Sequence, residues 1–322
     1  MAAGTSSGCI SRQIPALGWL RVYQPAWLRG DLLAGITLAA YLIPAGIGDA
    51  SLAGLPPSAG LYACLFSGLV FWLFTSSRQT SVTVTSAISL LVGASIGPLS
   101  DGDPLRHASL AAATAVMVAA LALIARLFRA GVIVNFISES VLVGFKCGVA
   151  LHLTVSQLPK LCGFHGSHGD FWERAAYFLR HAKETNPASI AVGGAGLAIL
   201  LLGKRFLPRV PAALVVVTGG MLLGAFAGLE AAGVKALGAV PQGLPTLGLQ
   251  RLRWEDINLL LPVAMAAFLL GAVETAAIGR MFARKHGYRL DSNQEFLALA
   301  GANLAAGLGQ GFPTSGGMSQ SL

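Results

Sequence analysis

Residues 81–89 read Ser-Val-Thr-Val-Thr-Ser-Ala-Ile-Ser, and residues 313–321 read Pro-Thr-Ser-Gly-Gly-Met-Ser-Gln-Ser. Each stretch places a Thr-Ser pair at the start of a small, hydroxyl-rich run that opens an apolar segment. The two runs open the third and the tenth apolar segments of the chain, which lie seven segments apart. Because seven is odd, the second run enters the bilayer from the opposite face. This pattern predicts an inverted repeat with interrupted helices at segments 3 and 10.

The composition around these runs is that of a membrane protein. Of the 322 residues 54% are hydrophobic and 11% are charged, against roughly 25% charged in soluble domains. A helix needs about 20 apolar residues to cross a bilayer. We therefore expect an all-α polytopic bundle with segments at 32–48, 50–77, 79–100, 108–125, 131–159, 188–203, 211–229, 257–279 and 296–322. Gly311-Phe312-Pro313 divides the last stretch into a ninth helix and the start of a tenth.

The basic residues indicate a topology rather than a nucleic-acid partner. The net charge is +8, but Lys and Arg are spread over the short connections between segments. With the N-terminus in the cytoplasm, 13 of the 22 lie on the cytoplasmic side and eight on the other, as the positive-inside rule requires. We expect residues 1–30 to be a cytoplasmic segment of an integral protein of the bacterial plasma membrane.

The two hydroxyl-rich runs could bind an anion. A helix start exposes unpaired N–H groups with a partial positive charge, and Gly lets a ligand approach the backbone closely. Two such starts that meet near the midplane would hold an anion without a full positive charge. The candidate binding residues are Thr83, Thr85, Ser86, Ser315, Gly316, Gly317 and Ser319. The same residue types also pack between helices in many bundles, and composition alone leaves both interpretations open.

Four ionisable residues fall inside the apolar segments, where a charge is costly. Glu139 and Lys146 are seven residues apart, on one helix face, and we expect them to neutralise partners on neighbouring helices. Glu274 is a candidate for proton coupling, because a partly buried carboxylate exchanges protons nearer neutral pH. The alternative is that it pairs with a helix N–H group or with a Lys or Arg. Asp49 ends segment 1 and is expected to reach the outer interface.

No pattern in the chain points to a cofactor or to enzyme chemistry. Cys162, His165 and His168 share a loop, but we interpret them as a polar loop rather than a metal site. The sequence contains neither an HExxH nor a GxSxG motif. We expect no metal, no cofactor and no enzymatic activity.

Several motifs resemble the sulfate permease (SulP) family of anion transporters, in the family's order and over nearly the whole chain. Residues 31–37, 43–44, 50–57 and 60–62 resemble the first two helices, and residues 77–82 with 89–91 resemble the third. Residues 136–138, 141–145 and 157–158 resemble the fifth helix. Residues 293–295, 301–304 and 312–316 resemble the ninth and tenth.

This resemblance implies a seven-plus-seven inverted repeat with core and gate subdomains. It implies a substrate between the starts of the third and tenth helices, beside the first and eighth, with Glu274 at the site as a coupling candidate. It further implies elevator-type alternating access for sulfate, bicarbonate or a related anion, by proton or sodium symport or by exchange. Family members tend to form homodimers, and a STAS domain usually follows the membrane domain.

The sequence departs from the family in four places and in length. Many members have Gln at Ala45, Tyr at Asp49, Gly-Pro at Thr83-Val84 and Arg at Gln320, and the changes at Ala45 and Gln320 weaken the case for sulfate itself. Residues 31–322 would form an incomplete domain that lacks helices 11–14 and the STAS domain. We therefore expect either a truncated gene product or a partial sequence, without independent transport. The alternatives are a nucleobase permease of the same architecture and an inactive fragment.

Overall fold

A computed structural model describes residues 14–131, 139–164, 166–167, 171–207, 212–229, 231–234, 243–249 and 252–321. The chain is helical apart from one pair of two-residue strands in these ranges. In chain order the elements are α1 Pro15–Leu20, α2 Leu28–Leu52, α3 Pro57–Phe74, β1 Val82–Thr83, α4 Ser86–Ile96, α5 Pro104–Leu127, α6 Glu139–Cys162, α7 Phe171–His181, α8 Pro187–Phe206, α9 Ala212–Phe226, α10 Trp254–His286, α11 Ser292–Leu308, β2 Ser315–Gly316 and α12 Met318–Ser321. Short 3₁₀ turns occupy Pro25–Trp27, Gly97–Ser100 and Ala182–Glu184.

All ten predicted segments contain a helix, but not every helix could cross a bilayer alone. Within the described ranges, four spans are long and apolar enough: Pro25–Leu52, Pro57–Phe74, Pro104–Leu127 and Trp254–His286. A fifth would join Phe171–Glu184 to Pro187–Gly203 across a bend of 119°. The helix of segment 3, α4, has only 11 residues, or about 16 Å of length. This half-length helix is what the interrupted segment predicted.

The boundary between segments 1 and 2 differs from the sequence expectation. Segment 2 was expected from residue 50, but α2 continues to Leu52 and α3 begins at Pro57. Gly54 takes a φ of +70° between them, and proline at the first helical position suits the start of α3. The sequence did not predict the amphipathic helix α7, because the charged residues of that stretch indicated a loop.

The chain divides into two compact units, of which the first takes residues 1–137 and 241–322. In this unit α11 packs against α5 and α3, α2 packs against α3, and α10 packs against α5. Glycine permits the closest of these crossings, since a Cβ at Gly60 would collide with the carbonyl oxygen of Gly46. The outer face of α2 is apolar and exposed, with Leu33 at 68% and Ile36 at 64%, as expected for side chains that face lipid.

A buried carboxylate joins the starts of α5 and α10. Asp256, 1% exposed, accepts a hydrogen bond from the Arg106 guanidinium at 2.9 Å and one from the Arg253 backbone N–H at 2.9 Å. The second bond is part of a capping box at the start of α10. The ion pair therefore holds the two helix starts at one level.

A second buried carboxylate holds the loop between α3 and β1. Glu295, 2% exposed, accepts from the Thr75 hydroxyl at 2.9 Å and from the backbone N–H and hydroxyl of Ser76, both at 2.7 Å. These bonds tie the first turn of α11 to the loop that leads into β1.

The second unit takes residues 138–240. Within it α6 packs against α7 and α8, and α8 packs against α9. The Asn186 side chain caps α8 by accepting from the backbone N–H groups of Ala188 and Ser189. The side chains of Glu139 and Lys146 lie outside the described residues, so their pairing with neighbouring helices stays a prediction.

Candidate functional site

The two hydroxyl-rich runs of the sequence meet as an antiparallel strand pair. Val82 of β1 pairs with Gly316 of β2, and Thr83 pairs with Ser315. Beyond the pair, the Gly317 backbone N–H donates to the Ser81 carbonyl at 3.2 Å. The strands run in opposite directions, as expected for equivalent parts of an inverted repeat.

Side chains of α10 and α11 hold β2 in place. Asn303 of α11, fully buried, accepts from the Thr314 N–H at 2.9 Å and donates to the Thr314 carbonyl at 3.1 Å. Thr275 of α10 accepts from the Gly316 N–H at 2.9 Å. A Cβ at Gly316 would lie 2.8 Å from the Thr275 Cα, so only glycine allows this approach. The amide of Asn303 thus pairs with the backbone as a neighbouring strand would.

Five side chains near the start of α4 form two neighbouring hydrogen-bonded groups. The hydroxyls of Thr85 and Ser315 lie 3.0 Å apart. Ser315 donates to the Glu274 carboxylate at 2.9 Å. Ser86, the first residue of α4, donates to the Asp49 carboxylate at 2.7 Å. We call Asp49, Thr85, Ser86, Glu274 and Ser315 the hydroxyl–carboxylate cluster.

The structure places the other predicted binding residues differently. Thr83 is 1% exposed, and its hydroxyl donates to the Val84 carbonyl at 3.2 Å. Gly316 and Gly317 contribute backbone N–H groups to the bonds that hold the strand pair. Ser319 is exposed in α12 and takes part in none of these bonds. The structure therefore concentrates side-chain donors at Thr85, Ser86 and Ser315.

The expectation that Asp49 reaches the outer interface is wrong. Its residue is 6% exposed, and its carboxylate bonds to Ser86 inside the first unit. Sequence position could not reveal this, because α2 runs four residues beyond the predicted segment end at residue 48 and keeps Asp49 within the helix. Sequence reasoning also missed Thr275 and Asn303; for Asn303 the signal was an amide side chain within a small, apolar helix.

The start of α4 has no side-chain cap. Thr85 is the N-cap residue with extended backbone angles, φ −131° and ψ 144°, and its side chain makes no cap hydrogen bond. The first N–H groups of an α-helix have no intrahelical partner and carry partial positive charge. The three hydroxyls surround this end, while the hydroxyl–carboxylate cluster includes two carboxylates and no Lys or Arg. The neutral donors near this helix start can serve an anion once their hydrogens turn away from the two carboxylates.

The described residues contain no group of three or more His, Cys, Asp and Glu that could hold a metal ion. His165 and His168, which share the loop with Cys162, lie outside the described residues.

Comparison with known proteins decides the family. The sequence model described as "Sulfate permease family" matches residues 28–322. The chain belongs to the sulfate permease family. Membership places the hydroxyl–carboxylate cluster in an integral membrane protein, and the relatives described next carry the names of transporters rather than enzymes.

Similar proteins come from a bacterium and from human. The chain is 35% identical over 306 residues to the "Probable sulfate transporter MT1781" of Mycobacterium tuberculosis, covering 95% of this chain and 55% of the relative. It is 32% identical over 338 residues to the human "Solute carrier family 26 member 6", covering 97% of this chain and 44% of the relative. The chain thus spans about half the length of these relatives.

Solved structures show the same fold. The structure of SLC26A9 superposes with a TM-score of 0.88 at 24% identity, covering 98% of this chain and 53% of that one.

Proposed function

We propose that the complete protein is a secondary active transporter that moves an inorganic anion, sulfate or a related anion such as bicarbonate, across the membrane. This proposal rests on the β1–β2 pair. The pair brings the uncapped start of α4 together with the hydroxyls of Thr85, Ser86 and Ser315. The family and the names of the relatives support the same substrate class.

Neutral donors are a suitable way to hold a sulfate-like anion that must also leave. Helix N–H groups and hydroxyls stabilise negative charge through partial charges. A Lys or Arg that formed an ion pair with the anion would hold it more tightly and slow its release. Thr85, Ser86, Ser315 and the N–H groups at the start of α4 are the proposed ligands, with the backbone at Gly316 and Gly317 shaping the site.

The division of the chain into two compact units supports elevator-type alternating access. The first unit contains the whole of the proposed site, from Asp49 to Ser315, and the second contains α6 to α9. In an elevator mechanism the unit that holds the anion moves as a rigid body. Such a movement requires that each of the two units packs separately. We also propose a cytoplasmic N-terminus, proton coupling through Glu274 and a homodimeric assembly.

The test is uptake of radiolabelled sulfate and bicarbonate by the complete protein in proteoliposomes. Thr85→Val keeps the side-chain shape and removes the hydroxyl. A hydrogen bond to a charged group contributes about 1.5–3 kcal/mol, so the variant should raise KM by roughly 10- to 100-fold. The matched control is Thr37→Val on α2, since Thr37 is exposed and its hydroxyl bonds only to the Leu33 carbonyl of its own helix.

Saturable uptake that Thr85→Val weakens and Thr37→Val leaves unchanged supports the proposal. No uptake of any tested anion by the complete wild-type protein would refute anion transport. Inhibition by uracil or xanthine, rather than by sulfate, would identify a nucleobase permease instead.

A further inference from the structure

The positions of the hydroxyl hydrogens decide what the hydroxyl–carboxylate cluster can offer an anion. A hydroxyl carries a single hydrogen, and an ionised carboxylate can only accept. Ser86 therefore gives its hydrogen to Asp49, and Ser315 gives its hydrogen to Glu274. The contact between Thr85 and Ser315 must then use the hydrogen of Thr85. With both carboxylates ionised, all three hydrogens point into the cluster.

In that state the cluster repels anions. Its two carboxylates are negatively charged near the uncapped start of α4, and all three of its hydroxyl hydrogens are already donated within the cluster. A site that binds an anion must reverse at least one of these bonds.

Protonation of Asp49 reverses its hydrogen bond with Ser86, which is the first residue of α4. A protonated carboxyl has an O–H group of its own, which donates to the Ser86 oxygen. The Ser86 hydrogen is then free to point toward a ligand at the first turn of α4. The same step at Glu274 frees the hydrogen of Ser315, which can then point to the ligand or bond to Thr85 and so free the Thr85 hydrogen. Each proton therefore removes one negative charge and releases one donor.

The surroundings of Asp49 contain few groups that could neutralise it otherwise. The elements that pack most extensively against α2 are α3, α4, α12 and the turn Pro25–Trp27. None of these four contains Asp, Glu, Lys, Arg or His, and their titratable groups are Tyr62 and Cys64 of α3. Beyond the end of α2, the His107 ring of α5 bonds to the Ala53 carbonyl at 2.8 Å. The charged residues of α2 itself, Arg29 and Asp31, lie near its other end, about 27 Å away along the helix. Glu274 lies on the far side of the Thr85–Ser315 contact.

We propose that Asp49 is a second proton acceptor of the anion site, so that anion binding takes up a proton at Asp49 as well as at Glu274. This inference rests on the proposed function. The proton comes from the aqueous phase on the side where the anion binds, and it leaves with the anion on the other side. Asp49 thereby couples the movement of the anion to that of a proton, while the hydroxyl and N–H ligands of the site stay neutral.

The test measures the pH dependence of sulfate binding to the purified complete protein, together with the protons taken up on binding in weakly buffered solution. Linkage makes log Kd change by one unit per pH unit for each proton that binds with the anion. The wild type should approach a slope of two at pH values where both carboxyls are ionised without the anion and protonated with it. Asp49→Asn should lower both the slope and the proton uptake by about one.

Asp49→Asn should also bind sulfate more tightly than the wild type at the alkaline end, because its amide donates permanently to Ser86. The control is Asp101→Asn, an exposed residue with φ +49° that asparagine tolerates well. It should reproduce the wild-type slope. Asp49→Glu keeps a carboxyl and should restore most of the slope.

The outcomes separate the two proposals. Absence of sulfate and bicarbonate binding by the wild type at every pH overturns the proposed function and this inference with it. Binding with an unchanged slope in Asp49→Asn overturns the inference alone. If Asp49→Asn does not fold, Ser86→Ala decides, because it should weaken binding at acid pH and leave alkaline binding unchanged; an equal loss at both ends overturns the inference.

Discussion

Replacing Asn303 by Leu tests whether a single amide positions β2. Asn303 is fully buried and pairs with both the N–H and the carbonyl of Thr314. Leucine has a similar size and no polar atoms, so the variant leaves two backbone groups unpaired in an apolar interior. Each unpaired group costs about 1–3 kcal/mol. The expected loss is therefore about 2–6 kcal/mol, which corresponds to a fall in apparent Tm of roughly 5–20 °C.

The assay is thermal unfolding of the purified complete protein in detergent, followed by sulfate binding at a temperature where the variant is folded. Asn258→Leu is the matched control, because Asn258 is exposed on α10 and its loss should change Tm little. The variant should also bind sulfate more weakly, since β2 carries Ser315. Equal Tm values for the two variants would refute the assignment of Asn303 as the residue that holds β2.

Three further substitutions test the packing of the first unit. Gly60→Ala should destabilise the protein by about 1–3 kcal/mol, because its methyl group meets the backbone of α2. The control is Gly68→Ala on the same helix, whose methyl group meets nothing within 4 Å. In thermal unfolding this control should be neutral or stabilising. Arg106→Gln should cost about 3 kcal/mol by leaving the Asp256 carboxylate without its cation; a double variant with Asp256→Asn should lose less, and an equal or larger loss would argue against the ion pair. Glu295→Ala should lower Tm and increase proteolysis of the loop before β1, because that loop loses its acceptor; an unchanged cleavage pattern would contradict this role.

The location of the site at the third and tenth segments could be predicted from local chemistry. Short runs of Thr, Ser and Gly cannot form an uninterrupted apolar span, and their odd separation in the segment count implies opposite entry. The structure places Thr85 and Ser315 within hydrogen-bonding distance. We propose that this contact forms part of the anion site.

Sequence alone determined the class of protein and the order of its helices, because hydrophobicity and helix-breaking residues act over short stretches of chain. It could not determine the environment of Asp49. A carboxylate near the end of an apolar segment is equally compatible with water and with a partner, and the choice depends on where Ser86, 37 residues away, is brought by packing. The same holds for Asn303 and Thr275, whose bonds to β2 join elements that meet only in the folded chain. The paired hydroxyls and carboxylates are therefore a product of the tertiary structure, since hydrogen bonds need distances and directions that no local pattern contains.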